Sequence, residues 1–174
     1  MTGTSEQGDL QGGLSDAEKR ANVVRCVFGG CDQDFETFCG VVEGAVPPGT
    51  MVILRGSSVT GERWRDKAPF DADGPGTSDL DLTLVGDACV HYFSATGFFV
   101  PGIHSRPLSD EDPDIAPDLV PLRRQLMDMV RRPVNIQASR EIVTRLRGDL
   151  LGQPYLTLFT KPEGLSLSKP PVTA

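Results

Sequence analysis

One stretch of the chain alternates apolar and polar residues over several turns of the pattern: "SDLDLTLV", where Leu80, Leu82 and Leu84 interleave with Asp79, Asp81 and Thr83. A period of two is the pleat of a β-strand, so the leucines are expected to face a core and the aspartates the opposite side. Upstream the period is helical. Ser15 with Glu18 three residues on forms a capping box, opening a helix that carries Val23, Val24 and Val27 before Gly29-Gly30 stops it. A second helix from Asp32 sets Phe35, Phe38, Val42 and Ala45 at helical spacing and ends before Pro47-Pro48. Between the helices and the alternating strand, "MVILRGSS" is a short β-branched run from Met51 that ends at Gly56, the first strand.

Past Gly86 the pattern is less distinct. "ACVHYFSATGFFV" fits a strand or a strand-turn-strand, and "PGIHSRPLSDEDPDIAP" is a Pro- and Asp-rich loop of unusual length. A helix is expected from near Asp118, with Leu119, Leu122, Leu126 and Met129 on one face. After Pro133 comes a short strand, "VNIQA", then a helix capped by Ser139 with Ile142, Val143, Leu146 and Leu150 inward, and a last strand, "PYLTLFT". The order αα-β-β-(β)-α-β-α-β is that of a mixed α/β (α+β) domain over 14–160. Residues 1–13 and 161–174 lack apolar periodicity and read as flexible tails.

Composition narrows the class. At 174 residues, 39% hydrophobic and 24% charged, the chain is expected to form one soluble domain. No run approaches the ~20 apolar residues that span a bilayer, and the N-terminus has neither a basic start nor an apolar stretch, so a cytoplasmic protein without a membrane partner is expected. Cys26, Cys31, Cys39 and Cys89 include no C-x-x-C pair and stand at no ligand spacing from His91 or His104, which favours reduced, buried thiols over structural zinc. A net charge of -7 argues against a nucleic-acid-coating role. Arg123, Arg124, Arg131, Arg132, Arg140, Arg145 and Arg147 nonetheless gather in one segment, either as solvated helix surface or as a face for an anionic acceptor such as RNA. No aromatic interleaving accompanies them, and nucleic acid is not the favoured partner.

The densest chemistry lies in "DADGPGTSDLDLTL". Against a calcium loop, Asp71, Asp73, Gly76 and Asp79 fall at suitable positions. The match fails at Pro75, at Leu82 where a bidentate Glu belongs, and at the strand that begins where a helix should. On a strand, Asp79 and Asp81 point the same way with Cα atoms roughly 6.5 to 7 Å apart, able to converge on one hard cation such as Mg²⁺ or Mn²⁺. One strand earlier, "ILRGSS" ends in Gly56, where backbone can approach a ligand closely, and Ser57 and Ser58 offer hydroxyl donors for phosphate oxygens. Two adjacent strands would then present phosphate donors and metal ligands together.

A strand ending in Gly-Ser followed by a strand carrying Asp-x-Asp resembles the signature of the DNA polymerase β-like nucleotidyltransferase superfamily, here over residues 50–87. The resemblance implies a small mixed sheet with helices packed on one face. It also implies that Gly56 and Ser57 hold a triphosphate and that Asp79 and Asp81 hold divalent metal. Two departures stand out. The connection from Ser57 to Asp79, with "DKAPFDADGPG", is about twice the family's usual length, an insertion placed to close over a ligand. The strand expected to carry a third carboxylate offers Asn135, which can ligate a cation but cannot take a proton; Glu141, Asp114 or the substrate would have to substitute.

Around this pair, Arg63, Arg65 and Lys67 could neutralise triphosphate charge or simply be solvated. Arg55 suits packing or an ion pair, and Trp64 either burial or base stacking. His91 and His104 read as structural or surface residues, and Ser57 is not read as a nucleophile. The function these expectations support is transfer of a nucleoside monophosphate from a nucleoside triphosphate to an acceptor hydroxyl on a small molecule, a protein or an RNA. Two alternatives stay open. One is a non-catalytic nucleotide-binding or interaction module on the same fold. The other is a nucleotide-sugar glycosyltransferase, for which the 78 residues before Asp79 are a short nucleotide-binding unit.

Overall fold

The computed structural model describes residues 13–164. The tail expected over 1–13 lies, except for Gly13, outside the described residues, as does the tail expected over 161–174 beyond Gly164. Helix α1 (Asp16–Phe28) begins at the expected capping box: Ser15 Oγ accepts from the Glu18 N–H and the Glu18 carboxylate accepts from the Ser15 N–H. It ends at Gly29, whose φ of 59° is the left-handed conformation that glycine adopts without a Cβ penalty. Helix α2 (Asp32–Ala45) follows, and Lys161 Nζ satisfies two carbonyls at its C-terminal end, those of Glu43 and Val46, each at 2.8 Å.

The sheet contains β1 (Met51–Arg55), β2 (Leu80–Val85), β3 (Phe98–Val100), β4 (His104–Ser105), β5 (Val134–Ser139) and β6 (Tyr155–Thr160), in the spatial order β3-β4-β5-β2-β1-β6. β2 runs antiparallel to β1 and parallel to β5, so the sheet is mixed. A one-turn helix, α3 (Ser57–Thr60), follows β1; α4 (Val120–Val130) precedes β5, and α5 (Glu141–Asp149) joins β5 to β6. The segment 89–100 is neither of the forms its sequence allowed: Cys89–Tyr92 is a 3₁₀ turn, and the strand is confined to Phe98–Val100. The long loop after it is pinned to the sheet through β4 and a bridge between Leu108 and Ile136.

One face of the sheet carries the core. Val52, Leu54, Leu80, Leu82, Leu84, Val134, Ile136 and Ala138 pack against Val23, Val24 and Val27 of α1, Phe35, Phe38 and Val42 of α2, and Leu122, Leu126 and Val130 of α4. Each fully buried Leu, Ile or Phe among them contributes roughly 1.5–3 kcal/mol of transfer free energy. The leucines of the alternating strand are therefore inward, as its period of two requires. By the same alternation Arg55, Asp81, Thr83, Asn135 and Gln137 belong to the second face.

At α5 the structure corrects the sequence reading. Strand β5 runs on to Ser139, which is buried, so the helix is capped by Arg140 without a side-chain hydrogen bond. Ile142, Leu146 and Leu150, expected inward, are exposed, and the helix buries Thr144 instead. The second face carries Arg55, Asp81, Thr83, Asn135 and Gln137, and its apolar residues Ile53 and Val85 are already buried, so little apolar surface is left for leucines to cover.

The insertion between α3 and β2 is fastened down. Asp71 accepts from both Nη atoms of Arg132 (2.9 and 3.1 Å) and from the Ser78 and Gly76 N–H groups (2.9 and 3.0 Å). Arg132 also donates to Ser78 O and packs over the Phe70 ring, 4.5 Å from its centroid. Burial opposes ionisation of Asp71, but these donors prevail and hold its pKa down at about 2. Asp73 is occupied by Arg63 at 2.8 Å. Two of the carboxylates that mimic a calcium loop in sequence, Asp71 and Asp73, are thus tied to arginines, and Asp71 to backbone amides as well.

Candidate functional site

Register places four side chains in a row across adjacent strands. Arg55 of β1 is the cross-strand partner of Asp81 on one side and of Tyr155 of β6 on the other, while Asp81 is the partner of Asn135 in β5. Neighbouring strands are about 4.8 Å apart, so Tyr155, Arg55, Asp81 and Asn135 share one level of one face. Asp79 stands just before β2 and joins them from the strand end.

The two aspartates meet at Asn135. Its amide Nδ2 donates to Asp79 Oδ2 at 3.2 Å and to Asp81 Oδ1 at 3.0 Å, so oxygens from both carboxylates converge on a single atom. Asp79 is exposed and Asp81 half-buried. Burial, then the neighbouring Asp79 charge, push the Asp81 pKa above the ordinary carboxylate value; the Asn135 amide and the Arg147 charge pull the other way and do not prevail. Among the described residues no group of three or more His, Cys, Asp or Glu side chains stands at metal-ligand spacing. Any cation here would rest on two carboxylates, an amide oxygen and the substrate.

Gly56 lies directly against this pair. Its φ of 78° with ψ of -158° falls in a region open in practice to glycine alone, and a Cβ built on it would sit 2.9 Å from Asp81 Oδ2. The glycine thus turns the chain from β1 into α3 and leaves room for the carboxylate. Gly56→Ala is expected to lower stability by about 1–3 kcal/mol through backbone strain and to push Asp81 out of line. Thermal melts and nucleotide titrations of the variant check both effects; an alanine variant that melts and binds as the wild type does would show that the close approach is unimportant.

The remaining sequence candidates separate. Ser57 opens α3 and is partly exposed, with its N–H among those a helix start leaves without an internal partner. Ser58 is fully buried and donates its hydroxyl to Arg55 O at 3.4 Å, facing away from solvent. Arg63 is engaged with Asp66 and Asp73, and the exposed Arg65 reaches only Asp66, at 3.9 Å. Neither borders the cavity at the site. Glu141 is bound to Arg145, Asp114 lies in the loop before α4, and among the described residues no third carboxylate is grouped with Asp79 and Asp81. Four of the seven clustered arginines are tied to acids: Arg123 to Asp110, Arg132 to Asp71, Arg140 to Asp87 and Arg145 to Glu141. Cys31 is exposed, whereas Cys89 is buried.

A cavity of about 200 Å³ opens beside Asp81, lined by Arg55, Gly56, Thr60, Trp64, Arg147, Gln153 and Pro154. That is room for a phosphate-sized group rather than a whole nucleotide. Trp64, 65% exposed at its rim with Lys67 Nζ 4.9 Å from the ring centroid, offers a flat aromatic surface to solvent. The sequence reading did not place Arg147, Gln153 or Tyr155 at the site. They arrive through the α5–β6 connection, about a hundred positions from Gly56, and no local pattern marks them.

No protein-family model matches the chain, and neither a curated protein nor a solved structure is significantly similar to it. The functional reading therefore rests on the residues of the site. No helix among the described residues is long and apolar enough to cross a membrane.

Proposed function

We propose that the chain is a metal-dependent nucleotidyltransferase that moves a nucleoside monophosphate from a nucleoside triphosphate to an acceptor hydroxyl, releasing pyrophosphate. The observation that carries this reading is the convergence of Asp79 and Asp81 on one atom of Asn135, directly beside the Gly56 turn. Two carboxylate oxygens held by a single N–H₂ group surround a point where a hard cation is favoured more strongly than an amide. Asp79 and Asp81 would hold Mg²⁺ or Mn²⁺, with the Asn135 side chain offering its oxygen in place of its donor. Bound there, the cation would offset the charge of the triphosphate and of the transferred phosphoryl group.

The chain's own residues divide the remaining tasks. Gly56 lets the backbone approach the phosphates, Ser57 contributes a hydroxyl, and the exposed Trp64 ring stands where a base can stack. Asn135 orients both carboxylates but takes no proton, so the acceptor hydroxyl loses its proton to another group. That feature favours the second reading, a nucleotide-binding module without turnover on the same site.

Calorimetric titration of ATP, GTP, CTP and UTP, with and without Mg²⁺, tests the proposal in the wild type and in Asp79→Asn/Asp81→Asn. Metal-dependent binding of a nucleotide that is lost in the double variant supports the site; pyrophosphate release then separates enzyme from binding module. A folded wild type that binds none of the four leaves the Asp-x-Asp strand as a solvated face.

A further inference from the structure

Within the polar row, Arg55 is the residue whose chemistry is unfinished. It is only 7% exposed, yet its Nε and Nη1 are buried without a hydrogen-bond partner. Among the described residues it takes part in no ion pair. The Tyr155 ring, 5.2 Å from its guanidinium carbon, offsets part of the charge through its π face but supplies no acceptor for the N–H fork. Arg147 faces the same cavity. Its Nε donates to Gln153 Oε1 at 2.8 Å, which fixes the side chain without neutralising it, and it too lacks a carboxylate partner among the described residues.

Two guanidinium groups beside one small cavity repel each other. Burial, followed by the Arg147 charge, draws the Arg55 pKa down to about 10, still charged at neutral pH. Asp81, the cross-strand neighbour of Arg55, lines the same cavity, but it is held by Asn135 and makes no ion pair with either arginine. A buried, unpaired guanidinium opposes folding, and a ligand that supplies the missing acceptor recovers that loss. The planar fork matches the two oxygens of a phosphate or carboxylate, and the cavity has room for such a group.

We propose that Arg55 and Arg147 form an anion subsite for a single phosphate or carboxylate group, at the floor of the cavity between Gly56, Trp64 and Gln153. It deepens the nucleotidyltransferase reading by adding a recognition element that does not use the metal. The anion is either a phosphate of the nucleotide or an acidic group on the acceptor, and the two have the same chemistry at these guanidinium groups.

Trp64, the only tryptophan of the chain, lines the cavity and reports on it by fluorescence. Inorganic phosphate, acetate and tripolyphosphate are titrated separately into the full chain in metal-free buffer with a chelator. The wild type is expected to respond saturably to at least one of them. Arg55→Met should weaken that binding about 10- to 100-fold while raising the melting temperature, because an uncompensated buried charge is removed. Arg55→Lys should fall between the two, and Asp79→Asn/Asp81→Asn should bind the anion at least as well as the wild type. A response that Mg²⁺ and a bound nucleotide abolish assigns the subsite to the nucleotide's phosphate; one that persists assigns it to the acceptor. No saturable response at concentrations that fill a millimolar site, or equal binding by Arg55→Met, overturns the proposal. Anion binding by a wild type that binds no nucleotide leaves the subsite standing and removes the nucleotidyltransferase reading.

Discussion

Asp81→Asn is expected to abolish metal-dependent nucleotide binding and, in the same molecule, to make the fold more stable at neutral pH. Loss of a carboxylate from a two-carboxylate cation site should lower any transfer rate about a thousandfold or more. The stability gain follows from the direction of the Asp81 shift. Burial, reinforced by Asp79, raises its pKa in the folded chain. A group whose folded pKa is raised favours folding below its unfolded value, and that contribution disappears as pH rises through the folded value. At neutral pH the ionised carboxylate is therefore a burden that an amide lifts, as with other functional groups held against stability. Asp79 is exposed, so Asp79→Asn should lose binding without that gain. Melting curves at pH 7 beside nucleotide titrations check the pair, and an Asp81→Asn protein that is less stable than wild type would contradict the argument.

The second large effect lies away from the site, at the latch between Asp71 and Arg132. Arg132 is 9% exposed, so Asp71→Asn leaves a buried guanidinium with neutral acceptors alone, Ser78 O and Cys26 O among them, and should cost about 1.5–3 kcal/mol, enough to loosen the insertion. Arg132→Met leaves Asp71 with the Ser78 and Gly76 N–H donors and should cost less, and the double variant should recover part of the loss. The acid limb of stability carries the same signature. Because the Asp71 pKa is depressed from 3.8 to about 2 in the folded chain, its contribution is complete above the unfolded value. It is lost as pH falls through the folded value, an effect of about 2 kcal/mol. Urea melts between neutral pH and pH 2 should show that limb flattened in Asp71→Asn. Single variants within about 1 kcal/mol of wild type would reduce the latch to a surface pair.

The parts of this molecule that could be read from sequence are those fixed by neighbours a few residues away. The capping box at Ser15, the glycine stop at Gly29 and the period of two in β2 each express a local rule, and each holds. α5 misled because its apolar spacing is genuine while its surroundings are set by distant strands: Ile142 and Leu146 have helical spacing but remain exposed, and Thr144 is the residue the helix buries. The site divides along the same line. Gly56, Asp79 and Asp81 were legible as neighbours on two consecutive strands, and Asn135 through the expected strand order. Arg55 was visible on its strand, but its lack of a partner depends on what lies around it. The acidic insertion misled in the other direction, since its resemblance to a calcium loop is a matter of spacing, whereas Arg132, which claims Asp71, is 61 positions away.

The pairing of β1 with β6 has a consequence for how the chain acquires its site. Arg55 and Tyr155 are partners across 100 positions of sequence, and β1 lies between β2 and this last strand. Closing so long a loop costs entropy that only the completed sheet returns, and such non-local pairing slows folding. During synthesis, β1 and β2 can pair and bring Asp81 beside Gly56 while the ring beneath Arg55 and the wall formed by Gln153 and Pro154 have not yet left the ribosome. The cavity is therefore completed long after the two strands that carry its carboxylate and its glycine.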